Sequence, residues 1–332
     1  MSYTNIGIII IIAFLISVLI TRYEIPVLRA KAGQNIREDG PQTHLSKAGT
    51  PSMGGIAIII AAVFATLIGG LIWSAAISDI ILIIFVFAGF GIIGFFDDYL
   101  KVIKKMNLGL RAYQKFGLQI VISVILAVFL ANYSDGSTYV YVPVADIYVD
   151  FGIWYIPFIV FVMLAMTNAV NLTDGLDGLA SGSTSFVSLF FAVAGITYGV
   201  TSGAYFCAAL CGGCLGFLVF NKNPAKIFMG DTGSMALGGV LSGSLALGGG
   251  LAAAAIVMKL ELLLPVVGLL YVIEALSVIL QVGYFKISGG KRIFKMAPIH
   301  HHFEKCGYKE IQVVIAFWIF TIICCLIGFA II

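Results

Sequence analysis

Residues 168–180 read NAVNLTDGLDGLA and follow directly on the apolar run 153–167. They put Asn171, Asp174 and Asp177 at the end of a hydrophobic segment. A charge buried at that depth costs several kcal/mol unless it is paired or binds a cation, so ionisable groups there are functional candidates. On a helix the three-residue spacing of Asp174 and Asp177 would place both on one face, and Gly175 and Gly178 would leave the backbone open to a close ligand. The pattern points to a metal–phosphate site. An EF-hand is excluded, because that loop needs acids at alternate positions and a late glutamate.

The surrounding composition sets the solvent. Of the 332 residues, 61% are hydrophobic and 11% charged, against about 25% charged in an average soluble domain. Mean hydropathy is +1.08. These values exclude a soluble globular protein and predict an all-α polytopic membrane protein, with each window of roughly 20 apolar residues a helix. Ten spans are expected, at 4–21, 52–73, 78–96, 116–132, 153–169, 179–198, 203–220, 233–250, 261–285 and 311–331. The first lacks a basic leader and a small-residue cleavage site, and is read as a membrane helix.

The net charge of +3 is uninformative, but its placement is not. Every Lys and Arg except Lys259 falls in 22–51, 97–115, 170–178, 221–232 or 286–310. By the positive-inside rule these are the inner segments, and both termini lie outside. The chain is read as one domain, 1–332, whose five inner segments form the active site. Outer residues 133–152 alternate around Pro143 and Asp146 and predict a small structural β-hairpin. Cys207, Cys211 and Cys214 recur at helical spacing beside Gly212, Gly213 and Gly216, which predicts small-residue helix packing and no redox pair.

Four further stretches carry chemistry. His44, Lys47, Gly49, Thr50, Pro51, Ser52, Gly54 and Gly55 combine cation, hydroxyls and flexible backbone at the mouth of the second span, a mixture suited to phosphate. Asp97 and Asp98 end the third span, before Lys101, Lys104, Lys105, Arg111 and Lys115. A salt bridge needs only one carboxylate, whereas Mg²⁺ takes one or two together with phosphate oxygens and water. In NKNPAKIFMGDTGS, 221–234, Asp231 precedes the eighth span, where a helix N-terminus would favour a phosphate. The loop 286–310 holds His300, His301 and His302. Consecutive residues on a helix cannot converge on one zinc, so imidazoles beside a pyrophosphate are the better reading. In the ninth span Pro265 and Gly268 are kink points, Glu274 is expected to bond Tyr271 or Ser277, and Gln281 lies near the inner end.

Taken together, DDYLK at 97–101, NLTDGLDGL at 171–179, NKNPAKIFMGDTGS at 221–234 and APIHHHFE at 297–304 resemble the polyprenyl-phosphate N-acetylhexosamine-1-phosphate transferase superfamily. The PxxHxxKxGTPxMGG pattern at 41–55 and the histidine loop point to its phospho-N-acetylmuramoyl-pentapeptide transferase branch. The resemblance covers nearly the whole chain; Ser52 stands where threonine is common. It implies a Mg²⁺-dependent enzyme of the bacterial cytoplasmic membrane, its site on the cytoplasmic face. UDP-N-acetylmuramoyl-pentapeptide and undecaprenyl phosphate would be joined to give lipid I and UMP for peptidoglycan synthesis, hence cell-wall biogenesis, shape and division. A homodimer is implied, and no nucleic-acid partner is expected.

Asp231 is expected as a direct Mg²⁺ ligand with Asp97 and Asp98 close by, one of them assisting the acceptor phosphate; His300 joins these as a catalytic candidate. The resemblance places Lys47, Lys115, Asn171, Asp174, Asn221, Phe228, Gln281, His300 and His301 around nucleotide and phosphates, with Ser52 a further contact and Asp177 structural. A phosphate monoester with a second pKa near 6 needs little deprotonation at pH 7, and an ordinary aspartate is a poor base. Alignment and electrostatics should dominate. Direct in-line attack is preferred over a covalent aspartyl-phosphate route. Two alternatives stay open: a sister transferase of N-acetylglucosamine-1-phosphate, and an ion or phosphate transporter, which would favour midplane charges and inverted repeats.

Overall fold

The computed structural model describes residues 3–31, 49–100, 109–133, 138–230 and 242–332. The helices are α1 Tyr3–Lys31, α2 Gly55–Ile72, α3 Ile77–Asp98, α4 Ala112–Tyr133, α5 Tyr155–Thr173, α6 Leu179–Thr197, α7 Thr201–Asn221, α8 Ser242–Val257, α9 Leu264–Val267, α10 Leu269–Ile287, α11 Ile299–Lys305 and α12 Glu310–Ile331. Among the described residues nine helices are long and apolar enough to cross a membrane. Ten were expected; the shorter apolar α8 falls near the expected eighth span and is not among the nine.

Helix α7 sits at the centre, packed on α1, α2 and α6, while α8 lies against α3 and α5. Small residues make this possible. A Cβ on Gly212 or Gly216 would run into the backbone carbonyls of Ile10 and Phe14, and one on Gly213 would crowd Ile58. Ser17 Oγ adds a hydrogen bond to Gly213 O at 2.7 Å. Lipid tails are as apolar as leucine, so close packing of this kind, more than hydrophobicity, holds helices together in a bilayer. Cys207, Cys211 and Cys214 are buried free thiols in that packing.

The eighth and ninth spans differ from expectation. The eighth was expected over 233–250, but α8 runs on to Val257, with Gly248, Gly249 and Gly250 seating the Thr167 backbone and the Phe90, Phe87 and Phe206 rings. The ninth span is broken. A 3-10 turn, Glu261–Leu263, leads into the single turn of α9, and the helix restarts as α10 after Gly268. One side of α10 is bare: Leu276, Ile279, Leu280 and Ile287 are exposed on it.

The predicted hairpin is present. Strands β1 Tyr139–Val142 and β2 Ile147–Asp150 pair antiparallel with Tyr139 opposite Asp150 and Val142 opposite Ile147. Asp150 accepts from Thr138 Oγ1 and Gly152 N, which holds its carboxyl below the ordinary range. Lys259, the lone outer cation, donates to Tyr139 O at 3.1 Å and Tyr155 OH at 3.3 Å. Tyr198 after α6 touches Tyr141 of β1, and Asn5 Nδ2 bonds Tyr205 near the start of α7. The N-terminus and the hairpin therefore share one end of the bundle. Helix α12 starts at the other end, beside Asp177, and brings the C-terminus back to the hairpin side.

Candidate active site

The end opposite the hairpin collects the polar motifs. Asp97 and Asp98 close α3, and both are buried. Lys115, one turn into α4, puts Nζ 3.2 Å from Asp97 Oδ2, and Leu110 N donates to Oδ1 at 2.8 Å. Asp97 is thereby committed to a partner on α4. Asp98 faces α5, where its negative charge acts on Asp174.

The 174–178 turn departs from the helical reading. α5 stops at Thr173, and Gly178, at φ +77°, starts α6, so Asp174 and Asp177 do not share a helix face. Asp174 points to the Asp98 side. Burial first, then the Asp98 and Asp177 carboxylates, push its carboxyl up to about 7 against the opposing pull of His300. Its Oδ2 has no hydrogen-bond partner among the described residues. Asp177 accepts from Asn223 Nδ2 at 3.1 Å and Ala225 N at 3.0 Å. Glu310, at the start of α12, completes this brace by accepting from Asp177 N and Asn223 Nδ2. Asn171 is buried at the end of α5 and its carbonyl accepts from Asp174 N.

His300 lies above this turn. Its ring is fully enclosed, Nδ1 is 3.0 Å from Glu274 Oε2, and Nε2 is aimed at Gly175 so closely that a Cβ there would overlap it. His301 Nδ1 pairs with Glu304 Oε2 at 2.7 Å, and His302 Nδ1 accepts from Lys295 N. The Nδ1 atoms of the three imidazoles thus meet three different partners. Glu274 is not held through its carboxylate by its expected neighbours, since Ser277 Oγ bonds the Glu274 carbonyl and Tyr271 OH bonds Thr184.

The other sequence candidates fall into two groups. Ser52 and Phe228 come together: Phe228 N donates to Pro51 O, and Gly54 N and Gly55 N donate to the carbonyls of Phe228 and Met229. The Ser52 hydroxyl is buried with no hydrogen-bond partner among the described residues. Asn221 and Gln281 instead spend their amides on the fold. Asn221 accepts from Gly178 N and Ser181 Oγ and donates to Ile227 O; Gln281 accepts from Ile293 N and Phe294 N. Lys47 and Asp231 lie outside the described residues, as do His44, Lys101, Lys104 and Lys105.

Among the described residues no group of three or more His, Cys, Asp and Glu side chains converges tightly enough to hold a metal. The donor chemistry nonetheless fits a hard divalent cation. Asp98 beside Asp174 is a buried concentration of carboxylate charge, and Mg²⁺ needs only one or two such ligands when phosphate and water complete its shell.

The family model described as Glycosyl transferase family 4 matches residues 80–259, and Phospho-N-acetylmuramoyl-pentapeptide-transferase signature 1 matches 47–59. The phospho-N-acetylmuramoyl-pentapeptide-transferase of Clostridioides difficile is 49% identical over 94% of this chain and 93% of its own length. That of Clostridium kluyveri is 51% identical over 96% and 97%, and that of Caldanaerobacter subterraneus 46% over 96% of each. The chain belongs to the phospho-N-acetylmuramoyl-pentapeptide-transferase family. Its family signature, 47–59, includes the 51–55 segment that pairs with Phe228 and Met229, so the structure joins the signature to the run of chain leading to Asp231.

Sequence reasoning gave Glu274 only a local structural role, and singled out neither Asn223 nor Glu310. For Glu274 a signal existed: a mid-span acid and the histidines of the 286–310 loop are chemically complementary, and Glu274 and His300 are partners of one another. Glu310, at the boundary of the last span, carried none.

Proposed function

We propose that this membrane transferase moves phospho-N-acetylmuramoyl-pentapeptide from its UDP conjugate to undecaprenyl phosphate, giving lipid I and UMP for peptidoglycan synthesis. The observation that carries the site assignment is the cluster of Asp98, Asp174 and His300, buried together at one end of the bundle from three separate elements. Relatives named for this transfer match almost the whole chain. The Lys and Arg residues crowd into the segments at the same end, which supports a cytoplasmic-face site in a bacterial plasma membrane. The family resemblance further supports a homodimer.

Chemically, an oxygen of the lipid phosphate attacks the sugar-bearing phosphorus of the donor. The new P–O bond forms as the bond from that phosphorus to the bridging oxygen breaks, and UMP leaves with that oxygen. No base has to act, since the acceptor phosphate is already largely ionised at pH 7. Magnesium, held by Asp98 and Asp231 with Asp97 close by, would neutralise charge on the phosphates. Lys115 holds Asp97 in place, His300 faces the phosphates, and Lys47, Ser52, Phe228 and His301 border the nucleotide. Asn171 and Asp174 line the floor. Asn221 and Gln281 act through the loops they fix, 178–181 with 227 and 293–294. These side chains align and stabilise, which is what phosphoryl transfer chiefly requires.

The test compares donors. Purified protein in lipid vesicles with undecaprenyl phosphate and Mg²⁺ should release UMP from UDP-N-acetylmuramoyl-pentapeptide and not from UDP-N-acetylglucosamine, with release abolished by EDTA. Turnover of the second donor alone would overturn the substrate assignment; turnover unaffected by EDTA would overturn the metal.

A further inference from the structure

Glu274 lies in the second turn of α10, a helix long and apolar enough to span a membrane, and is fully buried. An acid there is expensive and needs a specific partner. Its Oε2 meets His300 Nδ1 at 3.0 Å, while Oε1 has no hydrogen-bond partner among the described residues. The opposite ring nitrogen of His300, Nε2, is likewise buried and without a hydrogen-bond partner, and it looks onto Gly175, next to Asp174. The pair thus runs in a line from the span interior, through the imidazole, to the floor of the phosphate site.

We propose that Glu274 is the positioning residue of His300: its carboxylate accepts a hydrogen bond from Nδ1–H, fixes the ring's protonation and orientation, and so directs Nε2 at the bound phosphates. The second nitrogen of an imidazole is set by the bond that the first one makes. Four groups face the ring or its neighbour and define its surroundings: Glu274 from α10, Asp174 from the end of α5, and the edge-on His301 with Glu304 from α11. When Nε2 also bears a proton and donates a hydrogen bond to a phosphate oxygen, the positive ring has the Glu274 carboxylate at its back, so the charge is compensated inside the protein. Gly175 belongs to the same device, because a side chain there would displace the ring.

This inference rests on the phosphate-site reading of His300, and the experiment separates the two. Glu274→Gln keeps size and a hydrogen-bonding amide but loses the charge; Glu274→Leu removes both. Each is compared with wild type for thermal stability, kcat, KM and the side-chain ¹⁵N spectrum of His300, assigned with a His300→Gln control. Wild type should show a proton on Nδ1. Glu274→Gln should fold, keep KM for both substrates within about 2-fold, and lose kcat by roughly 10–100-fold, the range usual when a ligand's outer partner is changed. Unchanged kcat in Glu274→Gln, or a wild-type Nδ1 without a proton, would overturn the proposal. The wild-type spectrum decides it even if neither variant folds. Failure of wild type to turn over the muramoyl donor would instead sink the functional reading and leave the tautomer result standing.

Discussion

Lys115 Nζ and Asp97 Oδ2 form an ion pair at 3.2 Å, with side chains 6% and 1% exposed. Removing one partner of such a pair strands a buried charge and costs about 3–5 kcal/mol, whereas removing both is far milder. Lys115→Met should therefore unfold at markedly lower temperature than wild type. Lys115→Met combined with Asp97→Asn should recover most of that loss while staying inactive. A thermal-unfolding mutant cycle in detergent checks this; strict additivity would contradict a coupled pair.

Asp174 gives a pH signature. Its folded carboxyl titrates at about 7, above the ordinary value of about 3.9. The folded state thus holds a proton that the unfolded chain releases, and stability falls as pH rises between about 4 and 7, then levels off. In EDTA, Asp174→Asn should match wild type near pH 4 and exceed it at pH 8, by an amount on the order of a few kcal/mol. Equal stability at both pH values would show that Asp174 is not held in this strained ionisation.

The brace of Asp177, Asn223, Ala225 and Glu310 predicts a different phenotype. Glu310→Gln keeps one acceptor and should lose about 1–2 kcal/mol, as for a hydrogen bond to a charged group. Activity should fall only through loosening of the 221–230 segment, seen as a higher KM with kcat nearly kept. A large drop in kcat at unchanged KM would instead place Glu310 in the chemistry.

Lys259 separates the fold from the site. Its ammonium ties β1 to Tyr155 at the hairpin end. Lys259→Met should lower the unfolding temperature modestly, by roughly 1 kcal/mol of lost hydrogen bonding, and leave turnover intact. Reduced turnover in a folded variant would contradict the structural role.

The architecture was legible because bilayer and charge rules act over whole segments. The 153–169 span, the hairpin around Pro143 and Asp146, and the small-residue face of α7 all follow from local pattern. What the sequence hid was geometry set between elements. Asp174 and Asp177 share a motif yet have different surroundings, Asp98 and His300 for the first, Asn223 and Ala225 for the second, since the turn at Gly178 overrides helical spacing. Glu274 and His300 are 26 residues apart, and only the packing of α11 against α10 makes them a pair. Asn221 reads as a ligand-binding residue by resemblance, but both ends of its amide are occupied within the fold.

The most direct measurement is the mass and stoichiometry of the lipid product made by wild type and Asp98→Asn in vesicles supplied with UDP-N-acetylmuramoyl-pentapeptide, undecaprenyl phosphate and Mg²⁺. The account predicts undecaprenyl diphosphate bearing the muramoyl-pentapeptide, one UMP per lipid, and no product from Asp98→Asn. Unmodified undecaprenyl phosphate after UMP release, or full product from Asp98→Asn, would contradict it.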